Sequence, residues 1–403
     1  MSKSKAMTWP FLQMYVLAFL FFSANSILNV IIPLYSETKG ISNSMIGFIM
    51  GAYMLTCMLV RPWAGYLVAR YGPIKILRII VVCNGIGLVL YTMSGLEGFF
   101  VARLIQGICT AFFSMALQIG IIDQLPDKER SQGVSMYSLF TYLPTIIGPL
   151  IALGIWEWGG MNLFTVAMIG IAVVTALFGL SIPTKKYVHG EKLPPISSVV
   201  SIKGFRNLAR NKSFILCSVT MLSASLLFGS IGFVPLYADH IQGGNAGIYL
   251  SLQAIVVVMT RIIVRKYIPS DGKWHSRYIA IALICASIAA LSLSLSIKFP
   301  PLLYVAAVLI GYAQAVIYPT LMTYLTFIAP ATERNVIVGW FIASADLGLS
   351  LGSILMGPIA DHLSYSGMYM ICATVVGCAA LLALAGGKWI VQVKFTGKKV
   401  GEV

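Results

Sequence analysis

About twelve apolar stretches punctuate the chain, each near or beyond the roughly 20 residues that a helix needs to cross a hydrocarbon core of about 30 Å. They run 10–34, 44–69, 75–95, 97–122, 132–156, 161–182, 212–237, 245–264, 276–298, 300–327, 334–360 and 367–390. Lipid offers no partner for a backbone N–H or C=O, so each stretch is expected as an α-helix that bonds its own backbone. The composition agrees: 58% hydrophobic and 10% charged, with a mean hydropathy of +0.88, far outside the soluble range. The fold class is therefore an all-α membrane protein. The first stretch is too long for the core of a cleaved signal, and Asn25, Asn29 and Pro33 follow where a small-residue cleavage pattern would stand.

A net charge of +15 invites a nucleic-acid reading, but its placement argues for topology. Threading twelve helices with both ends on one side leaves only Lys39 and Lys298, of 28 Lys and Arg, on the other side, and Arg61, Arg103 and Arg261 within spans. By the positive-inside rule both termini are expected in the cytoplasm, in a multi-pass protein of the cell membrane. The expected surroundings are the lipid bilayer and its anionic headgroups, with no nucleic acid. Seven cysteines lie scattered within spans without a CxxC pair, and His189, His240, His275 and His362 share no ligand spacing. Neither set makes a disulfide framework or metal site, so no metal and no cofactor is expected.

The chain is also written twice. An offset of 204 pairs Gly107 with Gly311, Glu129-Arg130 with Glu333-Arg334, Tyr137 with Phe341 and Gly148 with Gly352; an offset of 200 pairs Gly47 with Gly247 and Arg61 with Arg261. A polar connector rich in Pro, Lys and Arg separates the copies. This divides the chain into an N-terminal six-helix bundle (1–182), a cytoplasmic linker (183–211) and a C-terminal six-helix bundle (212–403). Two pseudo-symmetric bundles related by an axis along the membrane normal place a substrate site near the midplane between them.

Charged and polar residues inside the spans carry the chemistry, because each is costly there. Arg61 stands eight residues after Tyr53, and Arg261 eight after Gln253, so these pairs share helical faces. One reading has both arginines snorkelling to the interface. The other sets two guanidinium groups on facing walls of a central cavity, where each can hold a carboxylate through paired hydrogen bonds. Arg103, Thr110, Ser114 and Gln118 form a polar stripe, and Asn25 and Asn29 a smaller polar face; a helix–helix seam and a cavity wall are both open readings. Asp346 falls well within a span, placed either to exchange a proton or to pair with an arginine across the cavity. Asp123 sits at an inner helix end and reads as an interfacial residue. Tyr318 is a candidate for stacking a ring, and the Tyr318-Pro319 step is expected to break or bend its helix. Three arginines against one or two aspartates favour an anionic or zwitterionic guest over a lipophilic cation.

Motifs narrow the family. GYLVARYGPIK, from Gly65 to Lys75, resembles the loop between the second and third helices of the major facilitator superfamily. The resemblance implies a gating role for Gly65, Arg70 and Gly72, although Ala69 stands where that family usually has an aspartate. ARLIQG, with Arg103, Gln106 and Gly107, resembles the fourth-helix motif of proton-coupled members and implies a part for Arg103 in proton coupling. Gly148-Pro149 is similar to the core of the antiporter motif, with Ala152 and Leu153 replacing its trailing glycines. Closer still, FFSANSILN, IMGAYML, RPWAG, CTAFFSMALQ, RKYIPSDGKWH, YPTLMTYL and ADLGLSLG resemble the staphylopine-type metallophore exporters of Gram-positive bacteria. That resemblance implies export of a nicotianamine-like opine, a small molecule bearing several carboxylates and amines, in exchange for protons and by a monomer.

No span pairs a nucleophile with a base, and no GxxxxGK[ST] loop is present for ATP, so an enzyme is not expected. A secondary active exporter of an amino-carboxylate metallophore is the first reading. A proton-coupled multidrug exporter of broad specificity is the alternative.

Overall fold

In a computed structural model of the chain, residues 7–93, 95–125, 127–182, 211–264, 269, 273–329 and 334–389 are described. The expected linker lies outside these apart from Asn211, as do the side chains of Asp123, Glu129, Arg130 and Arg334. The described residues hold no strand. Their α-helices are α1 Trp9–Thr38, α2 Asn43–Tyr71, α3 Pro73–Met93, α4 Leu96–Gln124, α5 Asp127–Ser181, α6 Lys212–Ser230, α7 Val234–Asp239, α8 Ala246–Val264, α9 Ser276–Leu295, α10 Leu302–Ile328, α11 Arg334–Ile354, α12 Met356–Leu363 and α13 Tyr365–Trp389.

Among the described residues, eleven helical stretches are long and apolar enough to cross a membrane. One of them, Met136–Ser181, has 46 residues, about 69 Å at 1.5 Å per residue and over twice the hydrocarbon thickness. Within α5, Gly160 takes φ 52 and ψ −140, a conformation open to glycine and not to residues with a Cβ. The chain turns there, so α5 supplies two crossings and the total is twelve. The break falls in the gap left between the apolar stretches 132–156 and 161–182.

Two other crossings are interrupted. A 3-10 turn at Ile231–Phe233 joins α6 to α7, with Pro235 in the first turn of α7, and Leu355 separates α11 from α12. Of the break or bend expected at Tyr318-Pro319, the break is absent: α10 runs unbroken from Leu302 to Ile328 with Pro319 inside it. Twelve crossings put Trp9, Ser181, Lys212 and Trp389 on one face of the bundle, and the loop at 39–42, Gly160, the loop at 240–245 and Ser364 on the other, called here the far face.

The repeat is legible in the packing. A Cβ at Gly107 would meet the Tyr53 carbonyl oxygen, and one at Gly311 would meet that of Gln253. These are the same contact under the two offsets, α4 on α2 in one bundle and α10 on α8 in the other. Small residues allow such close crossing in lipid, where no hydrophobic force drives helices together.

The bundles meet along α2 with α11 and α12, and along α5 with α8. Ser350 Oγ donates to the Gly51 carbonyl at 2.9 Å, and Ser251 Oγ donates to that of Ile146. The offsets map one pair of positions onto the other, with donor and acceptor exchanged. At the far face the Asp361 carboxylate accepts from the backbone N–H groups of Asn43 (2.9 Å) and Ser44 (2.8 Å) and from the Ser44 hydroxyl. Tyr365 Oη donates to Asn43 Oδ1 at 2.7 Å beside them. The first turn of α2 is thus held by an acid from the other bundle, as an anion should be at the positive end of a helix.

Candidate functional site

Arg61, on α2, extends its guanidinium across the interface. Its Nε donates to Asp346 Oδ2 of α11 at 2.8 Å, and Nη2 donates to Cys57 Sγ one turn back at 3.2 Å. Asp346 is 6% exposed, so the charge that the span could not leave alone is neutralised by a buried acid from the opposite bundle.

Arg261, on α8, does the equivalent thing with a different partner. Its Nη2 donates to Tyr142 Oη of α5 at 2.6 Å, and the guanidinium carbon lies 4.1 Å from the centroid of the Tyr142 ring. The offset of 200 carries Arg61 to Arg261, and the offset of 204 carries Tyr142 to Asp346. One pseudo-symmetric position therefore holds a carboxylate in one copy and a phenol in the other. The buried Nε of Arg261 has no hydrogen-bond partner among the described residues; a cation held by a hydroxyl and a ring face keeps its charge unneutralised. The cavity-facing sequence reading set both arginines to await a guest's carboxylate. In this structure each is engaged across the interface, because a guanidinium in a low-dielectric span takes whatever partner the fold supplies.

Arg103, on α4, is fully buried. Its Nη1 donates to Asn25 Oδ1 at 2.9 Å and Gln106 Oε1 at 3.2 Å, and its Nη2 to Asn29 Oδ1 at 3.0 Å and Met50 Sδ at 3.4 Å. The Tyr53 ring centroid is 5.4 Å away, and Tyr53 Oη donates to Thr110 Oγ1 at 3.0 Å. Arg103 and Thr110 of the α4 stripe, Tyr53 of α2 and the asparagines of α1 are thus one connected seam, with Asn25 and Asn29 also reaching a cavity.

That cavity, about 190 Å³, lies between the bundles. Asn25, Ser26 and Asn29 of α1 and Thr141, Tyr142 and Thr145 of α5 form one side; Gln253 of α8 and Gln314 of α10 form the other. Gln253 Nε2 donates to Gln314 Oε1 at 3.0 Å, while the buried Gln253 Oε1 has no partner among the described residues. Typical small-molecule sites hold about 300 to 1,000 Å³, so this chamber must widen for a guest of that size. A larger cavity of about 450 Å³ lies between α3 and α5. Its walls are apolar and its residues Ile86, Met93 and Val173 open outward, which suits an acyl chain and offers nothing to orient a polar guest.

The structure brings together Asn25, Asn29 and Gln253 at the chamber and Arg61, Asp346 and Arg261 in a layer bridging the bundles. Tyr318 is half-buried within electrostatic reach of Arg61, Asp346, Tyr142 and Arg261 and packs on Phe341 at 5.9 Å. Tyr53 stands behind the chamber wall in the Arg103 seam, and Gln118 is exposed. The loop residues sit apart: Gly72 ends α2 with φ 88, Gly65 is half-buried against Met115, and exposed Arg70 stacks on its neighbour Tyr71 at 5.5 Å. Sequence reasoning missed Tyr142, Thr141, Thr145 and Gln314. For Tyr142 a signal existed, since it lies 204 residues before Asp346.

Comparison with known proteins now bears on this arrangement. The model of the Major Facilitator Superfamily matches residues 14–296 and 272–390. The chain belongs to the major facilitator superfamily. Similar proteins include the staphylopine export protein of Staphylococcus aureus (strain Mu50 / ATCC 700699), 48% identical over 383 residues that cover 92% of this chain and 94% of that protein. An uncharacterized MFS-type transporter, YhhS of Escherichia coli O157:H7, is 23% identical and covers 92% of both chains. Among solved structures of the superfamily's fold, the nucleoside transporter NupG superposes with a TM-score of 0.74 at 15% identity, covering 94% of this chain and 100% of that one. An inward-facing, unoccupied bacterial homolog of the human lysosomal transporter Spinster gives 0.68 at 14% identity, covering 96% and 97%. As a member of the superfamily the chain is a multi-pass transporter rather than an enzyme.

Proposed function

We propose that this transporter exports a staphylopine-type metallophore, an opine carrying several carboxylates and amines, by alternating access coupled to inward proton movement. The observation that carries the cargo is the 48% identity to the staphylopine export protein across nearly the whole of both chains. The chamber supports it: its walls are uncharged and carry amides and hydroxyls among apolar side chains, with the cationic Arg261 held by Tyr142 of that wall.

Coupling is assigned to the Arg61–Asp346 pair. Protonating Asp346 removes the carboxylate charge that holds the two bundles together at 2.8 Å, so proton binding and separation of the halves become one event. Arg61, once released, and Arg261 then face a widened chamber as the groups that receive carboxylates. Arg103, the other residue expected to couple, bonds to amides and a thioether and to no acid among the described residues; we assign the proton to Asp346. Tyr318, beside both arginines, packs against the guest. Both termini and the linker 183–211 lie in the cytoplasm, and the far face opens outward. The bundles 1–182 and 212–403 are the two moving units, and since one chain supplies every wall, a monomer suffices.

The test is transport in proteoliposomes. Wild-type protein should carry staphylopine against its gradient when driven by a pH gradient, whereas Asp346→Asn should lose gradient-driven accumulation and retain counterflow exchange of labelled staphylopine. Export of lipophilic cations with no staphylopine counterflow would replace this reading with the multidrug one.

A further inference from the structure

The Arg103 cluster has no counterpart in the second bundle. The offsets carry Arg103 to Ala307, Asn25 to Ser225 and Asn29 to Gly229, and that bundle packs without it. The repeat therefore needs no buried guanidinium here, and a fully buried arginine bonded to neutral acceptors is costly. Its geometry says what the cost achieves.

An arginine can only donate hydrogen bonds. Because Nη1 donates to Asn25 Oδ1 and Nη2 to Asn29 Oδ1, both amide oxygens are turned towards α4. Each Nδ2 must then lie on the other side of its carboxamide. Asn25 and Asn29 are both half-buried and both in the chamber wall, and no described residue accepts a hydrogen bond from either Nδ2. Across the chamber, Gln253 Oε1 is buried without a partner. One wall thus offers N–H donors, polarised by a guanidinium behind them, and the other offers an acceptor.

We propose that Arg103 is a positioning residue: it fixes the carboxamides of Asn25 and Asn29 so that their N–H groups receive a carboxylate of the guest, leaving the guest's amine to Gln253. The arginine itself stays behind the wall. This makes α1 the anion-reading wall of the chamber, and it rests on the reading that the guest is an amino-carboxylate.

Asn25→Asp and Asn29→Asp, made separately, decide it. Each keeps an oxygen for Arg103 and converts a hydrogen bond into an ion pair, so a seam that was only structural should hold at least as well. On the chamber side each replaces an N–H donor with a carboxylate oxygen. With purified protein, we expect melting temperatures at or above wild type and a staphylopine Kd raised at least about tenfold, which corresponds to about 1.4 kcal/mol. Binding of ethidium, a lipophilic cation, should be unchanged or tighter, and transport should show a raised KM with little change in kcat. Unchanged staphylopine affinity in both variants would overturn the inference while leaving the cargo reading intact. Lower melting temperatures in both would overturn the amide geometry beneath it. Failure of the wild-type protein to bind staphylopine would remove the cargo reading itself, and this inference with it.

Discussion

At the residue scale the decisive fact is that three arginines within the spans take three chemically different sets of partners: an acid, a phenol and a group of amides. The cost of losing each should differ accordingly. Arg61→Ala leaves the Asp346 carboxylate desolvated and unpaired, and breaking such a pair costs about 3 to 5 kcal/mol. A lowered thermal melting point in detergent should report it, and the double variant Arg61→Ala with Asp346→Ala should melt higher than Arg61→Ala alone. Arg261→Ala removes a hydroxyl partner and a ring contact but strands no charge, so a smaller loss of about 1 to 2 kcal/mol is expected in the same measurement. Much of this was legible: Asp346 is the lone acid deep in a span, and pairing with an arginine was one of its two open readings. Tyr142 was harder to see because a tyrosine among aromatics in a span is ordinarily packing, and only the repeat offset singles it out.

At the element scale, the crossing of α4 on α2 in one bundle recurs as α10 on α8 in the other, and small residues mark it. Gly107 and Gly311 occupy one such crossing in each copy. Gly107→Val and Gly311→Val should therefore destabilise by similar amounts, about 1 to 3 kcal/mol for overpacking, read as matched drops in melting temperature; a large effect in one alone would deny the equivalence. Helix existence and number were legible because spans are long and lipid permits little else. Internal interruptions were not. The turn at Ile231–Phe233 contains Gly232 and precedes Pro235, and the break at Leu355 stands just before Gly357-Pro358, whereas Pro319, expected to break or bend α10, leaves it unbroken. A proline in a membrane helix can be accommodated by neighbouring groups, so the residue alone does not decide whether the axis breaks.

At the scale of the whole molecule, the bonds between bundles descend from the far face to the Arg61 layer: Asp361 on the first turn of α2, then Ser350 on Gly51 and Ser251 on Ile146, then the arginine pairs. A transporter that opens outward must break all of them in each cycle. Asp361 is exposed at the outermost position, where a constraint can be added without touching the chamber. Cysteines placed at Ser44 and Asp361 and joined by a short bifunctional maleimide should stop staphylopine counterflow, while the same protein joined through a reducible linker of similar length should recover on reduction. Either single-cysteine variant treated alike controls for the native thiols, of which Cys378 is exposed. Asp361→Ala should act in the opposite sense: with three interbundle hydrogen bonds removed, the far end separates more readily, and a cysteine at Gly51 becomes accessible to a membrane-impermeant thiol reagent from the outer side. Should transport continue through quantitatively cross-linked protein, the far face is not the end that opens, and the alternation between two gates would have to be rebuilt on the opposite face, beneath the arginine layer.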